Sequence, residues 1–579
     1  MSGHGATGRP FPRVRPWCAA WALWTTAGMG ALAPAFPARA EGVPDSAGVA
    51  VHADSSLGPA LAAAADSLPA SALDGRPIRS IAIRVHNVFE PLPVGPLRFV
   101  GQLANRAHIR TREWVVRDQL ILKPGQPWSE ERAREATRQL RTLNFLEPQV
   151  LRAVAAGDSV DVVAEVRDVW TTQPEFDLER GGGRLVGSMA FTERNLFGYG
   201  KSVSLSYRDD PVGITRSISV SDPGVAGSRL RLNYSGSRGT SGASDGVQAV
   251  LPFYSYDSRW SFGVSALRRS GTAHLFQDNA EVASLGEHIE ESQIFVGHGG
   301  RTNGTIVRTT FVLSAPDRRL DATRTSAGTP VPESFVGPEE SIKLRRAGWE
   351  HRIWKPRFIE RTGIERVDRI EDFDLGRSLV VGIGVAPKGF GSTANFGDFR
   401  VRLDAGVSTR FGFGFMTSSV AGRWKRSAEE VLHISHGRWI WQSRPEHTVE
   451  AAVWGVSGFR MPRNYQAIVG GLSGLRAYPV HAVAGSRLVR WNIEDRHLLV
   501  RDVFQIVSIG SAVFLDGARG WGPGAEGTRA FQCAGVGVRI APPRAAIGPV
   551  IRADLAWPIS PTRDGRREAV LSIGSSKAF

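Results

Sequence analysis

From about Trp170 to its end, the chain alternates apolar and polar side chains with a period of two. Val203, Leu205 and Tyr207 share one face of a strand and Ser202, Ser204 and Ser206 the other. Leu230, Leu232 and Tyr234 oppose Arg229, Arg231 and Asn233; Val401, Leu403 and Ala405 oppose Arg402, Asp404 and Gly406; Ile551, Ala553, Leu555 and Trp557 oppose Arg552 and Asp554. Two architectures produce this pattern: a soluble antiparallel sheet with one wet face, and a membrane barrel with lipid outside and a polar lumen. The scale favours the second, because residues 173–579 are too many for one sandwich core but suit a large barrel. Alternating segments from Phe176 onward number 18 to 20. The predicted fold class is mainly β, a transmembrane antiparallel β-barrel. The polar stretch Pro316 to Ser341 reads as an outer loop, and Asp222-Pro223-Gly224 and Tyr256-Asp257-Ser258 as short turns at the other end.

Residues 77–172 follow a different pattern. A strand is predicted over Ile78 to Phe89, a helix over Thr111 to Leu122 ending at Lys123-Pro124-Gly125, and a second helix from Ser129, with Glu130 and Glu131 suiting its dipole. Strands over Gln149 to Val154 and Val160 to Val166 complete a β-α-α-β-β order, one small α+β domain.

The N-terminus adds a compartment. Arg9, Arg13 and Arg15, the apolar run Trp17 to Leu32 and Ala38-Arg39-Ala40 read as a signal peptide over residues 1–40, followed by a flexible, Ala- and Ser-rich lead-in over 41–76. Of the formal charge of +15, four units come from Arg9, Arg13, Arg15 and Arg39; the surplus suits an Arg-lined interior, anionic lipid or arginine-rich composition alike. Cleavage removes Cys18 and leaves Cys533 alone, which excludes an intramolecular disulfide and a cysteine-based zinc site. After residue 40 no apolar run is long enough for a spanning helix, so a membrane role must use strands.

Several motifs resemble the BamA/TamA family of outer-membrane proteins, in which periplasmic POTRA domains precede a sixteen-stranded barrel. They are Val115 to Leu120 with the Lys123-Pro124-Gly125 turn, Glu193-Arg194-Asn195-Leu196-Phe197-Gly198-Tyr199-Gly200 as the first periplasmic turn, Gly474-Leu475-Arg476-Ala477-Tyr478-Pro479 as the sixth-loop signature, and Phe514-Leu515-Asp516-Gly517 as a strand end. Ala477 stands where glycine is usual in that signature. The resemblance implies sixteen strands, one POTRA domain, and a loop (Leu475, Arg476, Ala477, Tyr478) folded into the lumen with its arginine on the wall. Alternation turns Glu494 and Asp516 to that wall, so Arg476 is expected to contact Asp516 or Glu494. Gly574 and the terminal Phe579 resemble the strand by which such barrels are targeted for assembly, although Lys577 stands at a usually hydrophobic position.

The implied function is insertion or translocation of other outer-membrane or secreted proteins. The POTRA domain would bind unfolded clients by β-augmentation, for which Val160, Val162 and Val166 are the candidate strand, and clients would enter at a seam between Phe176 to Arg180 and Leu571 to Phe579. Expected partners are outer-membrane lipids and lipopolysaccharide, those client proteins and accessory periplasmic proteins, without nucleic acid. The expected location is the bacterial outer membrane, with the POTRA domain in the periplasm. The alternatives are a two-partner-secretion transporter, which usually carries two POTRA domains and a plug helix, and a passive channel or lipid-handling barrel. An enzyme is not expected, since no Gly-x-Ser-x-Gly elbow occurs and no spacing selects a triad. No cofactor or metal is expected either: His433 and His436, three apart on a strand, face opposite ways.

Overall fold

The computed structural model describes residues 70–576, apart from 94, 96–97, 182–183, 211–212, 327, 329, 368, 472, 505, 526–528, 546–549, 562–564 and 566. The signal peptide, most of the lead-in, Lys577 and Phe579 lie outside the described residues.

The N-terminal α/β domain holds a three-stranded sheet of β1 (Ile78–His86), β2 (Leu146–Ala156) and β3 (Ser159–Asp168), ordered β1-β3-β2, with β3 parallel to β1 and antiparallel to β2. Three helices accompany it: α1 (Arg98–Ala107), α2 (Glu113–Gln119) and α3 (Glu130–Arg141). Alternation puts Ile81, Ile83, Val85, Val160, Val162, Ala164 and Val166 against Val115, Val116, Ala133, Ala136 and Leu140 in one core. The helix α1 was not predicted, because its apolar residues Phe99 and Leu103 face outward and only Gly101 is buried. The client-binding strand is corrected: Val160, Val162 and Val166 are 0% exposed on the central strand, whose two edges are already paired, so they offer nothing to an incoming strand. Of the two outer strands, β2 leaves Val150 to Ala156 beyond the bulge at Pro148.

Beyond Asp168 the chain closes into one antiparallel barrel, from Thr172–Gly181 to Val570–Ser576, which pair with each other. Among the described residues, twenty strands run between the two ends of the barrel. Three short ones, Asp317–Leu320, Arg324–Thr325 and Glu340–Lys343, only extend the outer end beside the long pair Trp260–Gln277 and Ala280–Thr302. This corrects the sixteen strands implied by resemblance and meets the upper end of the segment tally. Among the described residues, fifteen of these twenty strands precede the Arg476 loop and five follow it.

The outer wall is apolar, with Met189, Phe191, Leu205, Phe262, Val264, Ile294, Phe311, Val401 and Val513 exposed, whereas the lumen collects arginines and carboxylates. Exposed aromatics gather at both rims: Trp260, Phe411, Trp441 and Phe504 at the end bearing the α/β domain, Trp424, Phe459 and Trp557 at the other. A closed sheet with an apolar belt, aromatic rims and a charged interior is built for a bilayer, not for one wet face. Among the described residues no helix is long and apolar enough to cross a membrane.

Glycine matters where an outward tryptophan lies flat on the neighbouring strand. A Cβ on Gly517 would stand 2.1 Å from Cε2 of Trp491, its cross-strand partner. Gly517→Val is therefore expected to push the indole off the sheet and to destabilise the barrel by about 1–3 kcal/mol. Tryptophan emission and the temperature at which the folded form loses its fast gel mobility would read this.

Candidate functional site

The outer loop over residues 460–486 joins strands His447–Phe459 and Arg487–Val503 and turns back into the lumen. Gly471 (φ 52°) and Gly474 (φ 128°) make the tight turn that presents Leu475 to Tyr478, closed by Gly471 N–H donating to the Tyr478 carbonyl at 2.9 Å. Ala477 has no left-handed backbone, so alanine carries no penalty there; its methyl is buried with Leu475, Tyr478, Phe531 and Cys533. The Tyr478 hydroxyl lies 2.6 Å from the carbonyls of Gln532 and Ser560.

Arg476 is 5% exposed and reaches three strands at once. Its Nε and Nη2 donate to both oxygens of Asp516 at 2.8 Å, and Nη1 lies 3.0 Å from Glu494 and 3.1 Å from Asp554. The guanidinium stacks on Phe514, 3.2 Å from the ring centroid. The sequence places Asp516 and Glu494 here and misses Asp554 and Arg539, both on the inward parity of their strands. Arg539 ties Asp554 to Glu494 at 2.5 and 3.0 Å.

At the opposite end the chain between strands Arg346–Lys355 and Arg377–Ala386 forms a second stopper, absent from the sequence reading. Strands Phe358–Thr362 and Ile370–Asp374 pair as a hairpin. Its tip is held by Glu371, which accepts from the N–H groups of Ile364 and Glu365 at 3.0 and 2.9 Å. Ile359, Ile364, Phe373 and Leu375 pack on Phe413 and Ile440 of the wall, and Val367 reaches Ala541 and Val550 on its far side. The two stoppers are joined by ion pairs: Arg476 to Glu494, Glu494 to Arg496 at 3.3 Å, Arg496 to Glu450 at 2.6 Å, Glu450 to Arg438 at 2.7 Å, and Arg438 to Glu365 at 2.8 Å. In the outer half of the lumen remains a cavity of about 150 Å³, lined by Glu291, Arg346, Asp398 and Tyr465 among others.

The α/β domain sits over the hairpin. Arg141 of α3 contacts Glu360 and Asp372 at 2.6 and 2.8 Å, and Arg229 donates to the carbonyls of Gln119 and Leu120 at 3.1 and 2.6 Å. The first turn docks the other side: Asn195 Nδ2 donates to Thr111 at 2.7 Å, and Gly198, at φ 76°, accepts from Arg112 N–H where a Cβ would strike the Arg110 carbonyl. Glu135, buried in this joint, accepts from Tyr256 N–H at 2.7 Å, yet burial pushes its carboxyl up to about 7. The protonated form is thus favoured in the docked state. Docking is expected to be strongest below the free carboxyl range and to weaken as pH rises through about 7. Hydrogen exchange in 130–141 and 252–259, corrected for intrinsic rates, should follow that course, and Glu135→Gln should flatten it.

Metal-ligating side chains converge at a place the sequence reading did not weigh. On the outward face near the inner rim, Asp495 Oδ1 lies 2.8 Å from His447 Nε2 and 3.3 Å from His497 Nε2, with Ser443 on His447 Nδ1 at 2.8 Å. Each donor is already partnered within the group.

These features define a class: a membrane barrel whose lumen is stoppered from both ends and whose inner mouth carries an α/β domain. No family model and no curated protein matches the chain. Among solved structures, BamA from Haemophilus ducreyi lacking POTRA domains 1–3 is 13% identical, over 86% of this chain and 84% of that one, with a TM-score of 0.37. CdiB from Acinetobacter baumannii is 9% identical over 87% and 74% at 0.45, and CdiB from Escherichia coli 9% over 87% and 76% at 0.44. The fold assignment rests on the closed sheet itself, not on these likenesses.

Proposed function

We propose that the chain is an outer-membrane barrel that inserts or secretes other proteins, with its α/β domain serving as a single periplasmic POTRA domain. The observation that carries this reading is a contrast between a filled lumen and a thin seam. The lumen is stoppered by the Arg476 loop and the inner hairpin, which speaks against a passive channel. Among the described residues the closing strands share only four register pairs, Leu571 to Gly574 against Arg180 to Asp177, where the neighbouring pair Val550–Pro558 and Val570–Ser576 shares seven. A short pairing is the cheapest to open, and an opened edge is a template for a client strand.

In this reading β2, not β3, receives unfolded clients by strand addition, since only an outer strand has free N–H and C=O groups. The partners are unfolded outer-membrane or secreted proteins in a lipid and lipopolysaccharide environment. The test is the folding rate of a urea-unfolded model barrel in liposomes carrying this protein, against liposomes carrying an unrelated porin. Acceleration that falls when Val150 and Val154 are replaced by proline supports the reading. No acceleration, from protein shown to be folded by heat-dependent gel mobility, overturns it.

A further inference from the structure

The helix α1 turns its apolar side away from its own domain. Its inner side is fixed: Gly101 packs where a Cβ would meet Pro93, and Asn105 exchanges hydrogen bonds with both backbone groups of Phe89, at 3.0 and 2.9 Å. On the opposite side Phe99 and Leu103, one turn apart, are 62% and 63% exposed, with Arg98 and Arg106 beside them. The stripe does not end with the helix. Ile109 and Trp114 continue it, both exposed, and lead to the first inner turn of the barrel, where Ile109 borders Gly198 and Trp114 packs on Tyr199 at 5.9 Å. On that turn Phe197 is exposed, and above it on the same strand stand Phe191 and Met189 of the apolar belt. Arg112 covers the Tyr199 ring at 4.4 Å and continues the basic border set by Arg98 and Arg106, with the acidic Glu113 next to it in the chain.

We propose that α1 lies in the phospholipid leaflet at the inner rim of the barrel and anchors the α/β domain to the membrane beside the first strands. The occupant follows from continuity: the stripe prolongs the surface that the barrel gives to lipid acyl chains, and a helix with Phe and Leu on one side and arginines at its borders suits the boundary between acyl chains and anionic head groups. Anchoring holds the domain on the side of the barrel where the closing seam lies. The inference rests on the barrel being membrane-embedded.

The test uses the full-length protein in vesicles of phosphatidylethanolamine and phosphatidylglycerol, with nitrobenzoxadiazole on Leu103→Cys, on Val513→Cys in the belt, or on Asp158→Cys in the turn between β2 and β3; native Cys533 is buried. Brominated lipids are expected to quench the Leu103 label to about half the extent of the Val513 label or more, and the Asp158 label hardly at all. Adding Phe99→Asp should abolish the quenching at position 103. Quenching at 513 with none at 103 overturns the anchor and leaves the barrel reading standing; none at either position removes the barrel reading itself. Quenching at 103 that survives Phe99→Asp also overturns the proposal, because the stripe would then not hold the helix in lipid.

Discussion

Arg476→Ala is expected to lose the folded, fast-migrating form on gels at a markedly lower temperature than the unaltered protein. The substitution leaves Glu494 with Arg496 and Arg539, and Asp554 with Arg539. Asp516 has no such reserve. Its remaining hydrogen-bond contacts are the backbone N–H of residue 476 at 3.4 Å, Asn492 Nδ2 at 2.6 Å and the Cys533 thiol, none of them a cation, Arg490 acts on it only from beyond ion-pair distance, and it is 2% exposed. A buried carboxylate stripped of its partner destabilises by about 3–5 kcal/mol, far more than the pair contributes over an uncharged replacement. Arg476→Lys should recover only part of this, because an ammonium neither grips both Asp516 oxygens nor stacks on Phe514. In a double-mutant cycle with Asp516→Asn, the second change should cost much less in the Arg476→Ala background. Simple additivity would mean that the two side chains do not act together, and the loop would then need another anchor.

The second large effect is expected at the inner stopper. Replacing residues 358–374 by a short glycine-serine link should turn a silent barrel into one that conducts ions in planar bilayers, since the hairpin spans the lumen from Phe413 to Val550. A single charge reversal, Glu365→Arg, should act in the same direction. It sets a third guanidinium beside Arg438 and near Arg496, which donates to the neighbouring Ile364 carbonyl at 3.0 Å. A mispaired charge of this kind shifts a closed-to-open balance by about 3 kcal/mol, roughly a hundredfold in open fraction. Conductance equal to that of the unaltered protein would show that the Arg476 loop closes the lumen without the hairpin. Because ion pairs run from Glu365 to Arg476, the reversal should also lower the melting temperature of the outer loop's anchorage, measurable by protease access to residues 460–486.

The alternation of Val489, Trp491 and Ile493 with Arg490, Asn492 and Glu494 was enough to assign wall and lumen, since a period of two leaves no choice once one face is apolar. The same logic turned Asp516 inward. What alternation does not carry is which inward groups meet across the lumen, and Asp554 and Arg539 join Arg476 through barrel closure alone. The inner hairpin was hidden for a related reason: Phe358–Thr362 and Ile370–Asp374 are short strands, and nothing local separates a strand that lines the wall from one that crosses the mouth. The helix α1 escaped because a pattern read for burial looks for apolar residues facing a core, and Phe99 and Leu103 face away from one. The misplaced client strand was an error of sheet order. Val160 to Val166 alternates cleanly because one face lies on the helices and the other carries Asp161, Glu165 and Arg167, a pattern that says nothing of edges, and the strand is paired on both of its edges.

Cys533 sits 3.8 Å from Asp516, wholly buried beneath the Arg476 loop, and the chain's other cysteine lies in the predicted signal peptide. The protein therefore carries a clock. A small alkylating reagent can reach this thiol only while the loop is withdrawn, so the labelling rate of the unaltered protein counts excursions of the loop. Comparing that rate with and without an unfolded client would time the opening directly, with no residue changed.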